Sequence, residues 1–222
     1  VLDSARVRDV ISQFSQNNRV AVHLKIAERN LGCSVSVIAG CDWAFSKSEK
    51  LLVLEDDCIP SRAFFDFCKK EFSILEADSR ILLISGTQFA PIEITKNQTS
   101  LSPYAFTWGW ATTRSKWKEI RPLFSESPLL SIFHDLTSFT MQGSFWNAGR
   151  RRALSGFTDV WDTILVRHLR MANKFSILPP VNLVTNTGND EIATHTKNDL
   201  TWTNLPFINV LPYEKEKPEE SF

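Results

Sequence analysis

The chain lacks a surplus of either charge: 25 Lys and Arg stand against 25 Asp and Glu. That balance disfavours a polybasic nucleic-acid binder, which needs excess cation for phosphates. It lacks any apolar run near the ~20 residues of a membrane span. Residues 1–11 contain Asp3, Arg6, Arg8 and Asp9 and do not read as a signal peptide. There is no C-x-x-C pair. Cys33, Cys41, Cys58 and Cys68 therefore read first as free thiols, then as one bridge, and last as a zinc site. Neither G-x-G-x-x-G nor G-x-x-x-x-G-K occurs, so no phosphate-cradling loop of those kinds is available. Internal repeats and coiled-coil heptads are also missing. Tyrosine is scarce, with 2 residues against 16 Phe and 7 Trp, so the aromatic surface is almost wholly without hydroxyls.

What is present is an alternation of elements. Val7, Val10, Ile11 and Phe14 recur at helical spacing, and Asn17-Asn18 closes that helix. Val20, Val22, Leu24 and Ile26 alternate, which predicts a strand. A turn at Asn30-Leu31-Gly32 leads to a helix over 35–45. Leu51 to Leu54 is a continuous apolar run and predicts a central strand buried on both faces. Ser61 is the expected N-cap of a helix carrying Phe64, Phe65, Phe67, Cys68, Phe72 and Leu75. Ile81 to Ile84 predicts a second buried strand. This α, β, α, β, α, β order predicts an α/β fold with an open, mostly parallel sheet and flanking helices. Such sheets normally begin with a strand, so the first strand is expected upstream of Val1, as is any further domain. After Gly86 the text is less regular. A short helix is expected over 115–120, helices over 145–154 and 160–171, and a strand over 175–178. The segment from Tyr213 onward is Glu/Lys/Pro-rich and reads as a flexible tail. Asn97-Gln98-Thr99 is a glycosylation sequon.

The most informative stretch is Leu54-Glu55-Asp56-Asp57-Cys58, three carboxylates at the end of an expected strand. In open α/β sheets, ligands collect at the carboxyl ends of strands. Three adjacent like charges there call for a cation, donors or water. Oxygen ligands suit Mg2+ or Mn2+, which can bridge a diphosphate. In an extended segment Glu55 and Asp57 would share one face and Asp56 the other. A solvated acidic loop is the plainer alternative.

Several segments in order resemble a family. They are Asn30-Leu31-Gly32-Cys33, Leu54 to Pro60, Phe64-Phe65-x-Phe67-Cys68, Ile84 to Phe89, Thr107 to Thr112, Asn182-Leu183-Val184-x-Asn186-x-Gly188, and Ala193-Thr194-His195-Thr196. Together they resemble nucleotide-sugar glycosyltransferases of the GT-A fold. They are similar to the branch related to N-acetylglucosaminyltransferase I and more closely resemble the glycosyltransferase-like proteins of bacterial surface-polysaccharide clusters. The resemblance implies a GT-A, Rossmann-like domain over 1–212, with a nucleotide-sugar half (1–89) and an acceptor half (90–212). It implies a nucleoside diphosphate sugar as donor, a glycan or polysaccharide as acceptor, and Mn2+ or Mg2+ as cofactor. In a bacterial cell it implies the cytoplasm, with the membrane periphery as an option.

Residue by residue, the resemblance puts Asp57 on the metal, Asp56 on ribose or sugar hydroxyls, and Glu55 on the sugar or in support of the site. It makes Asp162 the base that deprotonates the acceptor, with helix capping as the alternative. Asp159 is the expected cap, and Asp190 and Glu191 are reserves. His195 would complete the metal or touch the diphosphate, or else be structural. Trp108 and Trp110 would form a sugar-facing wall around Gly109, or else pack in the core. Arg29 and Asn30 would lie near the nucleotide. Arg114 or Arg150-Arg151-Arg152 would meet phosphate, unless the run is a solvated helix face. His168 is expected to pack beside Leu165. His23 and His134 have no supporting context. The Asn-Arg-Pro-like segment with which the family holds the base has no match here. A nucleotidyltransferase using the same carboxylates, and a catalytically inactive carbohydrate- or nucleotide-binding relative, are the competing readings.

Overall fold

The structure is a computed structural model that describes residues 4–17, 20–90, 95, 97–125, 148, 152, 155 and 161–188. The chain divides into two compact units, Val1–Leu31 and Gly32–Phe222. The first holds helix α1 (Ser4–Asn17) and an extended stretch. The alternating residues Val20, Leu24 and Ile26 are more than half exposed, and their segment forms no strand. Period-two patterning makes a strand only where a partner supplies the ladder.

The second unit is mixed α/β. Its elements are α2 (Cys33–Phe45), β1 (Lys50–Val53), β2 (Cys58–Pro60), α3 (Arg62–Ala77), β3 (Ile81–Ser85) and β4 (Ser100–Ser102). They continue with β5 (Trp110–Thr113), α4 (Arg114–Ile120), α5 (Asp162–Met171), β6 (Phe175–Leu178) and β7 (Val184–Asn186). Among the described residues, five strands form one sheet in the order β1-β5-β3-β6-β4, and β2 and β7 form a separate pair.

The expectation of a mostly parallel sheet is corrected. Among the described strands only β3 and β6 run parallel as neighbours; β5 is antiparallel to both β1 and β3, and β4 is antiparallel to β6. The run Leu51–Leu54 is likewise corrected from a central strand to the edge of the sheet formed by the described residues. Its residues alternate between exposed and half-buried, and Leu52 and Leu54 are 38% and 39% exposed. Strands from before and after residue 89 interleave, so the two expected halves share one sheet.

Each face of the sheet has its own core. Helix α3 covers one face. Ser61 accepts a hydrogen bond from the Phe64 amide at 3.3 Å, satisfying a donor of the first turn. Phe64, Phe67, Cys68, Phe72 and Leu75 then fall on one stripe and meet Ile81, Ile84, Ala111, Ile177 and Val184. Each such large side chain contributes roughly 1.5–3 kcal/mol by leaving water. The opposite face is covered by α2, α4 and α5, with Phe45, Leu82, Leu83, Trp110, Trp117 and Leu165 between them. Leu82 and Leu83 are consecutive yet share that face. A register shift between Ile81 and Leu83 accommodates this break in the alternation. All four cysteines are free thiols; Cys41 and Cys68 are buried. No helix among the described residues is long and apolar enough to cross a membrane.

Candidate functional site

Strand directions bring four chain segments to one edge of the sheet. Val53 and Ser85 both register with Trp110, and Ile84 registers with Ile177. Strands β1, β3 and β6 therefore end where β5 begins. Glu55 to Asp57 follow β1, Gly86 to Gln88 follow β3, Pro179 and Pro180 follow β6, and Trp108 and Gly109 precede β5. These loops are tied together. The Gly86 amide donates to the Gly109 carbonyl at 2.7 Å, and the Thr87 hydroxyl to the Trp108 carbonyl at 2.8 Å. Gln88 donates through its side-chain amide to the Pro179 carbonyl at 3.0 Å.

The acidic triplet is a turn rather than an extended segment. The Cys58 amide donates to the Glu55 carbonyl at 3.1 Å, leaving Asp56 and Asp57 as the central residues. Glu55 and Asp57 are nevertheless half-buried and Asp56 exposed, the partition expected from alternation, produced here by the turn. The β2–β7 pair clasps this turn. Thr187 donates to the Asp57 carbonyl from its amide at 2.8 Å and its hydroxyl at 3.2 Å. Gly188 lies against the Asp57 carboxylate, and a Cβ there would overlap it. The Cys58 thiol donates to Asp57 Oδ1 at 3.5 Å, and burial pushes that thiol up to about 12.

Asp162 opens α5 and belongs to the same acidic cluster. Burial pushes the Glu55 carboxyl up to about 7; the charges of Asp57, then Asp162, then Asp56 add to the rise, and a hydrogen bond from Trp161 opposes it. Residues 56 and 162 are thus both close enough to act on Glu55. Trp161 was not among the residues expected at the site. It is 3% exposed, and its ring lies 5.4 Å from that of Trp110 and 6.3 Å from that of Phe124. A signal was present: an indole immediately before the candidate base can reach whatever that base faces.

The two tryptophans separate. Gly109 has φ 67°, and a Cβ there would come within 2.7 Å of Val184 Cγ2. This break in the strand sends Trp108 and Trp110 to opposite faces. Trp110 is fully buried beside Trp117 and Trp161, so its ring is core and not a platform. Trp108 is half-buried, 5.5 Å from the Phe89 ring, at the acidic edge.

Arg114 follows the far end of β5, pairs with Glu49 at 2.5 Å and donates to the Ser48 carbonyl at 3.0 Å; this places it at the opposite edge from Glu55. His168 lies 3.6 Å from Glu119, beside the Lys174–Glu119 pair at 2.8 Å. Arg29, Asn30 and His23 are exposed in the first unit. Arg152 is exposed. Asp159, Asp190, Glu191, His195, His134, Arg150 and Arg151 lie outside the described residues, as does the segment from Tyr213.

Among the described residues no three His, Cys, Asp or Glu side chains form a ready-made metal cage. The donors at this edge are hard carboxylate oxygens, the type that suits Mg2+ or Mn2+; burial first, and then the neighbouring carboxylates, raise Glu55. Such an ion is commonly held by one or two carboxylates with substrate phosphates completing the shell.

A groove of about 600 Å³ runs between α2 and β1. Val37, Gly40, Cys41 and Leu51 line it, and Glu55 and Asp56 form one end. Compared with protein-family models and with curated proteins, the chain matches none.

Proposed function

We propose that this protein is a metal-dependent glycosyltransferase that moves a sugar from a nucleoside diphosphate sugar to a glycan or polysaccharide acceptor. The observation that carries the reading is the gathering of Glu55, Asp56 and Asp57, at the carboxyl end of a strand, with Asp162 at the start of a helix. The resemblance of the sequence to GT-A glycosyltransferases supports it.

Asp57, held by Thr187 and Gly188, would bind one side of Mn2+ or Mg2+. When bound, the ion supplies positive charge to the diphosphate as it departs. Asp56, exposed at the turn, would accept from ribose or sugar hydroxyls. Trp108 offers an apolar face to a sugar ring at the same edge. Asp162 would take the proton of the acceptor hydroxyl. The freed oxygen attacks the anomeric carbon, and the bond from that carbon to the diphosphate breaks, the pair leaving with phosphate.

The test is calorimetry of the full chain against a panel of UDP- and GDP-sugars, with and without Mn2+. Binding that needs Mn2+, and falls at least tenfold in a folded Asp57→Ala variant, is expected. Equal binding by Asp57→Ala overturns the metal role. Mn2+-independent binding without turnover favours an inactive nucleotide-binding relative.

A further inference from the structure

We propose that Asn186 is a positioning residue for the Asp57 carboxylate, acting through the turn it forms with Gly188; its bearing on metal binding rests on the reading of the site given above. Asn186 ends β7, and the ladder with β2 registers it opposite Cys58, the residue after Asp57. It is 7% exposed. Its side-chain oxygen Oδ1 accepts from the Gly188 amide at 2.7 Å. An Asn oxygen bonded to the amide two residues on stands in for a backbone acceptor and closes a tight turn.

The three residues of this turn act on different parts of Asp57. Thr187 holds its backbone, through the bonds to its carbonyl at 2.8 and 3.2 Å. Gly188 walls its side chain: a Cβ there would overlap Asp57 Oδ2 and lie 3.1 Å from Asp57 Cβ and Cγ. Asn186 keeps that wall in place. The Cys58 thiol meets the other oxygen, Oδ1, at 3.5 Å, so the carboxylate is bracketed on both sides. Each carboxylate oxygen has two lone pairs, so a bracketed group still has capacity for a cation. Partners that orient a ligating carboxylate in this way commonly matter for affinity although they never touch the ion. Without the Asn186 acceptor the Gly188 amide loses its partner and the wall can withdraw. Thr187 would still hold the Asp57 backbone, while the carboxylate would be left to turn.

The test has two arms on the full-length chain. The first uses no metal. Thr187-Gly188 is the single Thr-Gly pair in the sequence, and Asp57-Cys58 the single Asp-Cys pair. Labelling with 13C-carbonyl Thr and 15N Gly therefore isolates the Gly188 amide by NMR, and 13C Asp with 15N Cys isolates Asp57. In Asn186→Ala the Gly188 amide is expected to exchange with solvent roughly tenfold faster than in the parent, the factor that one lost hydrogen bond supplies. The Asp57 Cβ signal is expected to move with it. Asn186→Ser leaves almost the same space as Ala but returns a hydroxyl acceptor, and it is expected to recover part of both effects. Asn186→Leu, closer in size to Asn and without the acceptor, replaces Asn186→Ala if that variant does not fold. An unprotected Gly188 amide in the parent overturns the proposal. So does an unmoved Asp57 signal in a folded variant lacking the acceptor, or an equal effect of Ser and Ala.

In the second arm, Mn2+ binding is titrated by electron paramagnetic resonance, alone and with UDP or GDP, with Asp57→Ala as the reference for a lost ligand. Asn186→Ala is expected to weaken Mn2+ binding roughly ten- to hundredfold, and Asn186→Ser less. Parent-like affinity in Asn186→Ala overturns the positioning role. If the parent binds no Mn2+ under any of these conditions, or Asp57→Ala binds it equally well, the metal reading of the site falls, and the hold of Asn186 on Asp57 is decided by the first arm.

Discussion

Replacing Glu55 by Gln should stabilise the protein in a way that depends on pH. The folded state raises the Glu55 carboxyl from 4.5 to about 7, through burial first and then through Asp57 and Asp162. Between those values the folded chain holds a proton that the unfolded chain has released. The associated stability is complete below pH 4.5 and is lost as pH rises through 7. At ~1.4 kcal/mol per pH unit the rise corresponds to roughly 3 kcal/mol. The side chain is only half-buried, so solvent screening leaves about 2 kcal/mol. Gln keeps an acceptor for Trp161 and carries no charge. The stability gap between Glu55→Gln and the parent should therefore widen by about 2 kcal/mol between pH 5 and pH 8.5. For a chain of this size that is about 4–8 °C in Tm. Scanning calorimetry at both pH values, with urea midpoints as a second probe, measures it. A gap that stays constant with pH, or that narrows toward pH 8.5, refutes the electrostatic description of the cluster. Asp162→Asn supplies an internal control, because removing one of the raising charges should shrink the effect.

Two further outcomes follow from packing at the same edge. Gly188→Ala places a methyl group against the Asp57 carboxylate, and it should cost about 1–3 kcal/mol in urea unfolding and weaken Mn2+-dependent nucleotide binding; an unchanged midpoint and affinity would show that the clasp on Asp57 is loose. Trp110→Ala should cost about 3–5 kcal/mol because the ring is fully buried, whereas the half-buried Trp108 should cost less stability as Ala and affect sugar binding more; equal stability losses would contradict the placement of the two rings on opposite faces.

Local signals in the sequence reached the elements whose stabilisation is local. Ser61 and the spacing from Phe64 to Leu75 identify α3, because a cap and a stripe are both written within one segment. The same kind of reading fails where a distant partner decides. Val20 to Ile26 alternates but meets no ladder. Leu51 to Leu54 reads as a buried centre, yet its place at the edge depends on β5, about 60 residues on, and on nothing beside it. The antiparallel course of β5 is invisible in a stretch whose pattern is aromatic rather than alternating. At the site, the triplet was legible because strand ends collect charge. Its turn was not, because the triplet was read as continuing the strand although Asp favours turns. Asp162 was reached only through family resemblance. Trp161 was passed over because an indole looks like core, and at 3% exposed it is core. Gly109 explains the misplacement of Trp110: two residues apart in a regular strand share a face, and a backbone at φ 67° removes that rule.

The interleaved strand order bears on how the chain is made. Lys50 cannot pair with Thr113, nor Ile81 with Phe175, until long stretches downstream have been synthesised. At ribosomal speeds of ~5–20 residues per second, β1 waits roughly 3–12 s for its partner. During that interval the apolar strands β1 and β3 are out of the tunnel with no sheet to join. Their nascent surface is a natural station for a holding chaperone. A fragment stopped near residue 89 would be left permanently in that condition, without the strand that lies between β1 and β3.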